Sequence, residues 1–298
     1  MSLGVVVPVY NRPGLAREAL ESIARQTRPP HRVVIVDDAS TDHTAEHIEQ
    51  WIRAQASGTD WSLRREASNG GPARARNLSI ESLSDCDAIA FLDSDDLWPD
   101  DYLARAERTL ERRPRVVATV CDILREQDGQ RTLRDTRAFD SAPRYWMVRH
   151  GAPTPSSVVV RREALIRCGG FDESMRYAED LALFLQVAPD DGWAHMPGNP
   201  VLYRLGVGTQ RSEAPALSHS SNNAQQALVR ACIAEELCDE RSLRAMAWYR
   251  ASGDAAKRGD WAASRTYAGR ALRTAPWQLR AATRWLRSIP RQLLGSRS

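Results

Sequence analysis

Short apolar runs alternate with amphipathic stretches through the first 125 residues of the chain. Leu3-Gly-Val-Val-Val-Pro-Val9 reads as a strand, and residues 13–26 follow as a helix with Leu15, Ala19, Leu20 and Ile23 at helical spacing. Arg32-Val-Val-Ile-Val-Asp37 is a second strand. Ser40-Thr-Asp-His43 has N-cap chemistry and opens a helix that turns Ile48 and Ile52 inward. A strand near 61–66, a helix near 72–84, the strand Ala88–Asp93, a helix near 99–112 and a strand near 116–124 extend the series. Strands apolar on both faces and separated by helices predict a mostly parallel sheet with helices on each side.

Residues 125–150 are polar, rich in Arg and Asp, and show no period that assigns them. From Ser156 the pattern resumes with a strand to Arg162, a short helix to Arg167, a turn at Gly169-Gly-Phe-Asp172 and a helix from Glu179 to Ala188. Leu202-Tyr-Arg204 closes the sheet region. Beyond about residue 215 every signal is helical, which predicts two domains, 1–215 with the sheet and 216–298 all-helical. In the second, residues 259–276 resemble the second half of one tetratricopeptide repeat. Ala263, Ser264 and Ala271 would let two helices approach, with Trp261, Tyr267 and Leu272 filling the groove between them. One such unit predicts a helical hairpin rather than a peptide-binding array, which needs three or more.

Apolar residues make up 42% of the 298 and charged residues 27%, the balance of a folded protein. No run of 18 apolar residues occurs, and the N-terminal apolar stretch lacks the basic flank and cleavage site of a signal peptide. The five cysteines are odd in number and form no CxxC pair, and the six histidines do not cluster with them. Reduced thiols in a cytoplasmic protein are therefore expected, rather than disulfides or structural zinc. The net charge of +3 hides an asymmetry: residues 1–240 carry 28 Lys/Arg against 36 Asp/Glu, and residues 241–298 carry 13 against 2. Lys257 is the single lysine among 41 basic residues, so phosphate contacts fall to arginine. In 278–298, Leu279, Trp285, Leu286, Ile289, Leu293 and Leu294 mingle with five arginines and no acidic residue. Such a segment either lies peripherally on an anionic membrane surface or packs its apolar face on the preceding hairpin; Pro290 shortens it.

The candidate chemistry sits where predicted strands end, which is where open α/β sheets bind ligands. Asp93-Ser94-Asp95-Asp96 follows the run Ala-Ile-Ala-Phe-Leu. Two carboxylates one residue apart at a strand end can hold Mg²⁺ or Mn²⁺, hard cations that take oxygen ligands. An isolated pair of this kind is equally an acidic turn capping the next helix. Val7-Pro8-Val9-Tyr10-Asn11-Arg12 ends the first strand and Asp37-Asp38 the second; a tyrosine can lie against a base, and a carboxylate can accept the imide N–H of uracil. Asn69-Gly-Gly-Pro-Ala-Arg74-Ala-Arg76-Asn77 opens a helix whose N-terminus suits an anion, with Arg74 or Arg76 able to reach phosphate or base. Glu179-Asp180 could equally be an acidic pair complementing a helix dipole.

Together these segments, with Gly-Gly-Phe-Asp-Glu173 and Ala-Glu-Asp-Leu-Ala-Leu183, resemble the family 2 glycosyltransferases of the GT-A fold, in the family's order and over roughly residues 3–205. The resemblance implies a Rossmann-like sheet followed by an all-helical C-terminal region. It also implies a nucleotide-sugar donor, UDP above others, lined by Pro8, Tyr10, Asn11, Asp38, Arg74, Arg76, Asp93, Ser94 and Arg204. In that frame Asp38 and Tyr10 meet the base, Asp93 lies near ribose and metal, and Asp95 ligates Mn²⁺ or Mg²⁺ on the diphosphate. Asp180 is the catalytic base that deprotonates a glycan or lipid-linked acceptor, and the transfer inverts the anomeric centre. Many relatives carry a histidine after the Tyr-Arg pair; here Tyr203-Arg204 is followed by Leu-Gly-Val-Gly, a departure that leaves the third protein ligand unassigned and Arg204 to assist the diphosphate. His195, on an apolar segment, is expected to be structural. Two alternatives are a sugar-phosphate nucleotidyltransferase and a non-catalytic binder or scaffold. The first loop, Pro-Val-Tyr-Asn-Arg-Pro, lacks the Gly- and Lys/Arg-rich signature of the former, and retained Asp93, Asp95 and Asp180 argue against the latter. Nothing recognisable as a nucleic-acid motif accompanies the basic tail.

Overall fold

The computed structural model describes residues 1–55, 58–175, 179–187, 192–207, 241–257 and 259–275. The chain forms two compact units, one of residues 1–144 and 152–210, the other of 145–151 and 211–298. Segment 278–298, for which a membrane surface and the preceding hairpin are the alternative partners, lies outside the described residues.

In the first unit, parallel strands β1 (Leu3–Val9), β2 (Arg32–Asp37), β3 (Asp60–Arg65) and β4 (Ala88–Phe91) alternate with helices α1 (Pro13–Ala24), α2 (Thr44–Arg53), α3 (Gly71–Ser82) and α4 (Tyr102–Arg112). The strand order is β3-β2-β1-β4-β8-β5-β9, completed by β5 (Ala118–Val120), β8 (Val158–Arg161) and β9 (Trp193–His195). Only β8 runs antiparallel to its neighbours β4 and β5. A smaller sheet, β10-β6-β7, is made by β6 (Ile123–Gln127), β7 (Gln130–Arg134) and β10 (Val201–Leu205). Helices α5 (Pro143–His150), α6 (Arg162–Arg167) and α7 (Glu179–Val187) lie among these strands in the sequence.

Side-chain alternation along β1 divides the core. Val5, Val7 and Val9 join Leu20 and Ile23 of α1 and Leu103 and Leu110 of α4 in one apolar cluster. Gly4 faces the opposite way, where a Cβ would come within 2.9 Å of Leu83 just beyond α3; the absent side chain permits that close approach.

Two expected elements change and one unassigned stretch is filled. The strand expected over 116–124 is two strands, broken at Cys121–Asp122, because the Asp122 carboxylate turns aside to accept the Thr136 amide at 2.8 Å. The helix expected from Ser40 begins at Thr44, whose amide donates to Asp42 at 2.9 Å, while Ser40 is spent on the neighbouring loop. Arg- and Asp-rich 125–150, unassigned from sequence, contains the β6–β7 hairpin and α5.

In the second unit, α8 (Arg241–Lys257) and α9 (Trp261–Thr274) form a hairpin. Ser264, Ala268 and Ala271 are the buried small residues of α9, Ser252 and Ser264 hydroxyls meet at 3.2 Å, and Asp260 caps α9 through the Ala263 amide. Trp261 does not fill the groove: it is 49% exposed, and Trp248, stacked with Tyr267 at 5.7 Å, takes that place. Among the described residues no helix is long and apolar enough to cross a membrane.

Candidate functional site

Parallel pairing brings the carboxyl ends of β1, β2 and β3 to one rim, with Val9 beside Asp37 and Asp37 beside Arg65. The loops beyond are stitched together. Asn11 takes a left-handed backbone (φ 49°), its amide donates to Ser40 Oγ at 2.9 Å, and its Oδ1 accepts the Thr41 amide at 2.8 Å. Asn11 thus holds the β1 loop to the β2 loop. Asp37 is buried, which raises its pKa against the opposing hydrogen bond from the Ser40 hydroxyl. Asp38, 5% exposed, accepts the amides of Gly70 at 2.7 Å and Gly71 at 2.8 Å, one on each carboxylate oxygen, and so caps α3. Tyr10 stands on the rim at 40% exposure; Pro8 is half-buried within β1.

The end of β4 carries the acidic cluster. Asp95 Oδ2 accepts from Arg12 Nη1 at 2.7 Å, and Asp93 Oδ1 accepts from Arg76 Nη2 at 2.6 Å. Arg204 Nε donates to the Asp95 carbonyl at 2.5 Å, and its Nη1 pairs with Glu18 at 2.5 Å. Asp96 is fully buried and accepts from Ser156 Oγ at 2.5 Å and the Arg204 amide at 3.2 Å, so its carboxyl ties β4 to the start of β8 and to β10. Ser94, between Asp93 and Asp95 in sequence, is buried at 3% exposure.

Burial and like charge act together here. Burial raises the Asp96 pKa far above the usual carboxylate range, and Asp93 and Asp95 add to it. Asp95 is raised by burial and by Asp93, with Arg12 opposing. Burial also raises the Tyr203 phenol, and the charges of Asp96, Asp93, Asp95 and Asp180 act on it in the same sense. Asp180 stands in the first turn of α7, where Oδ1 accepts the Leu181 amide at 2.7 Å.

A divalent cation fits this donor set. Hard oxygen donors on Asp93 and Asp95 sit in a carboxylate-crowded pocket that a cation would relieve. Among the described residues no three His, Cys, Asp or Glu side chains converge at metal-ligand spacing, so the pair would need oxygens from a bound diphosphate.

The remaining expected site residues divide. Arg74 is exposed and pairs with Glu66 at 3.3 Å. Arg76, expected to reach phosphate or base, turns inward instead: it is 4% exposed, with its terminal nitrogens on Asp93 and Glu179, because two carboxylates compensate the cost of burying it. His195 is buried in β9, 3.1 Å from the Thr136 hydroxyl, as a structural histidine. Sequence reading did not assign Ser156, Glu18 or the clamp of Asn77 on the Phe171 backbone at 2.8 Å. Only the last had a signal, the consecutive Gly169-Gly170 whose tight turn needs a nearby partner.

The family model of glycosyl transferase family 2 matches residues 4–171. Succinoglycan biosynthesis protein ExoW of Rhizobium meliloti is 38% identical over 112 residues, 37% of this chain and 34% of that protein. An uncharacterized glycosyltransferase of Haemophilus influenzae is 24% identical over 230 residues, 76% of this chain and 74% of its own length. The matches to the ExoW protein and to a Rickettsia felis glycosyltransferase span about a third of those curated relatives, 34% and 30% of their lengths. Among solved structures, S. aureus TarS 1–349 in complex with UDP-GlcNAc aligns at TM-score 0.73 and 18% identity, over 97% of this chain and 89% of that one. Mannosyltransferase PcManGT from Pyrobaculum calidifontis, in complex with GDP-Man and Mn²⁺, aligns at 0.57 and 22%, over 99% and 88%. At these identities the likeness is one of fold: the expected mostly parallel GT-A sheet with helices on both faces is the architecture found.

Proposed function

This chain belongs to glycosyl transferase family 2, and from that premise we propose that it transfers a sugar from a nucleoside-diphosphate donor, UDP in preference to others, to an acceptor hydroxyl with inversion. The observation that carries the reading is the cluster at the end of β4. Asp93 and Asp95 are each held by an arginine, and the charge of Asp180 on α7 acts on the same Tyr203 phenol as theirs.

Each residue has a physical task in that reading. Every carboxylate oxygen has two lone pairs, so Asp38 keeps acceptor capacity for a uracil imide after capping Gly70 and Gly71. Tyr10, exposed on the rim, would lie against the base. Asp93 and Asp95 would hold Mn²⁺ or Mg²⁺, which when bound neutralises charge on the departing diphosphate. Arg204, bonded to the Asp95 carbonyl, adds positive charge on that side. Asp180 would take the acceptor proton as the hydroxyl attacks the anomeric carbon, and a single displacement gives inversion. A polymeric acceptor accords with relatives named for succinoglycan biosynthesis and as a poly(ribitol-phosphate) beta-glucosyltransferase of Bacillus spizizenii.

Calorimetry of UDP and ADP binding with Mn²⁺, followed by a panel of nucleotide sugars assayed for UDP release, tests this. UDP is expected to bind more tightly than ADP, EDTA to abolish turnover, and Asp95→Asn to lose turnover while folding normally. Tighter ADP binding, or full turnover in excess EDTA, would refute the site as drawn.

A further inference from the structure

We propose that Arg76 is a positioning residue, setting where Asp180 stands relative to the donor by bridging Asp93 and Glu179; this rests on the transferase reading above. Its terminal nitrogens reach two elements at once. Nη2 donates to Asp93 Oδ1 at 2.6 Å at the end of β4, and Nη1 donates to Glu179 Oε1 at 3.3 Å at the first residue of α7. Arg76 and Glu179 are 4% and 8% exposed, so solvent does little to screen the pair. The guanidinium also lies over the Phe171 ring, 5.2 Å from its centroid. Burial would lower the Arg76 pKa, but Asp93 and Glu179, with Asp180 adding, more than offset it, and the group stays charged.

A planar fork fixes the spacing of whatever it grips. One grip is on Asp93, assigned to ribose and metal. The other is on the residue bonded directly to Asp180. The next residue of α3, Asn77, holds the chain approaching α7: its Oδ1 accepts the Phe171 amide at 2.8 Å, and its Nδ2 donates to the Phe171 carbonyl at 2.8 Å and to Glu173 at 2.9 Å. Helix α3 therefore acts as a bracket between the donor side and the base side of the site. Neither Arg76 nor Glu179 needs to touch the reacting atoms for this role; each matters through the distance it imposes.

The test compares Arg76→Lys, Glu179→Gln and the double variant in the full chain. UDP with Mn²⁺ is the binding probe, and UDP release from the sugar nucleotide selected by the panel is the turnover assay. Glu179→Gln keeps size and an acceptor oxygen, so it reports even where Arg76→Lys fails to fold. A displacement of about 1 Å in a reacting group costs up to roughly a hundredfold. Turnover is therefore expected to fall about tenfold to a hundredfold in Glu179→Gln, with donor KM and UDP affinity within about twofold of wild type. The double variant should lose no more than the worse single, since both cut one bridge. Unchanged kcat in Glu179→Gln, or UDP affinity falling in step with kcat, overturns the positioning role while leaving the transferase reading intact. A wild-type chain that binds no UDP overturns both.

Discussion

Asp38→Ala separates two duties of one carboxylate. In the wild type its oxygens accept the Gly70 and Gly71 amides at 2.7 and 2.8 Å, the first orphan donors of α3. A hydrogen bond to a charged group is worth about 1.5–3 kcal/mol net. Gly70 is exposed and water can replace its partner, so that bond adds little net and about one full bond, that of Gly71, remains. The lost carboxylate at a helix N-terminus adds about 0.3–1 kcal/mol. Asp38→Ala should thus destabilise the fold by about 2–4 kcal/mol. Asp38→Asn, which keeps one acceptor and loses the charge, should cost about half as much on the same scale. Urea unfolding followed by tryptophan fluorescence measures both. If the carboxylate also accepts a uracil imide, UDP affinity should fall by about tenfold, the equivalent of 1.4 kcal/mol, in the folded Ala variant. A stability change below about 0.5 kcal/mol, the level of an ordinary surface substitution, or Asn as damaging as Ala, would refute the capping argument.

Asp180→Asn should lower turnover by about a hundredfold, the low end for losing general-base help, with UDP affinity unchanged by calorimetry; loss of affinity in proportion would make Asp180 a binding residue. Gly170→Ala should cost about 1–3 kcal/mol in the same urea experiment, because Gly170 has φ +77° and an added Cβ would lie 2.6 Å from Asn77 Oδ1. A neutral Gly170→Ala would mean that the Asn77 clamp yields freely.

What could be read in advance followed the strength of local signals. Arg32–Asp37 was placed to the residue because a continuous apolar run bounded by polar residues leaves little choice. Arg162–Arg167 was equally legible. The three-residue strand β9 is not legible locally, since Trp193–His195 is a strand only by virtue of pairing with β5, more than 70 residues earlier. The β6–β7 hairpin escapes apolar patterning for a different reason. Its strands are polar and largely exposed, yet Asp128-Gly129 at its turn, with φ +50° and +74°, is a hairpin signature that hydrophobic patterning overlooks. At the candidate site, sequence named the carboxylates but not their partners. That Asp95 would face Arg12, Asp96 would face Ser156 and Arg76 would turn from the groove toward Glu179 depends on contacts between 60 and 103 residues apart for the latter two, which no local pattern encodes.

The reversed direction of β8 has a consequence for where this domain can be cut. Because β8 enters the rim where β4 leaves it, Ser156 arrives beside Asp96 from the far half of the chain, and the Arg204 amide completes the same carboxylate from later still. Sheet edges follow the same rule: β5 is bordered by β9, and β6 by β10, both beyond residue 190. The match to the family model stops at residue 171, but the fold does not. A fragment ending there would leave a buried carboxylate short of a donor, two strands with open edges and Arg76 without Glu179. Shuffling this domain between enzymes at its motif boundary would therefore break these pairings, whereas a junction after β10, past Leu205, would keep β8, β9 and β10 with their partners.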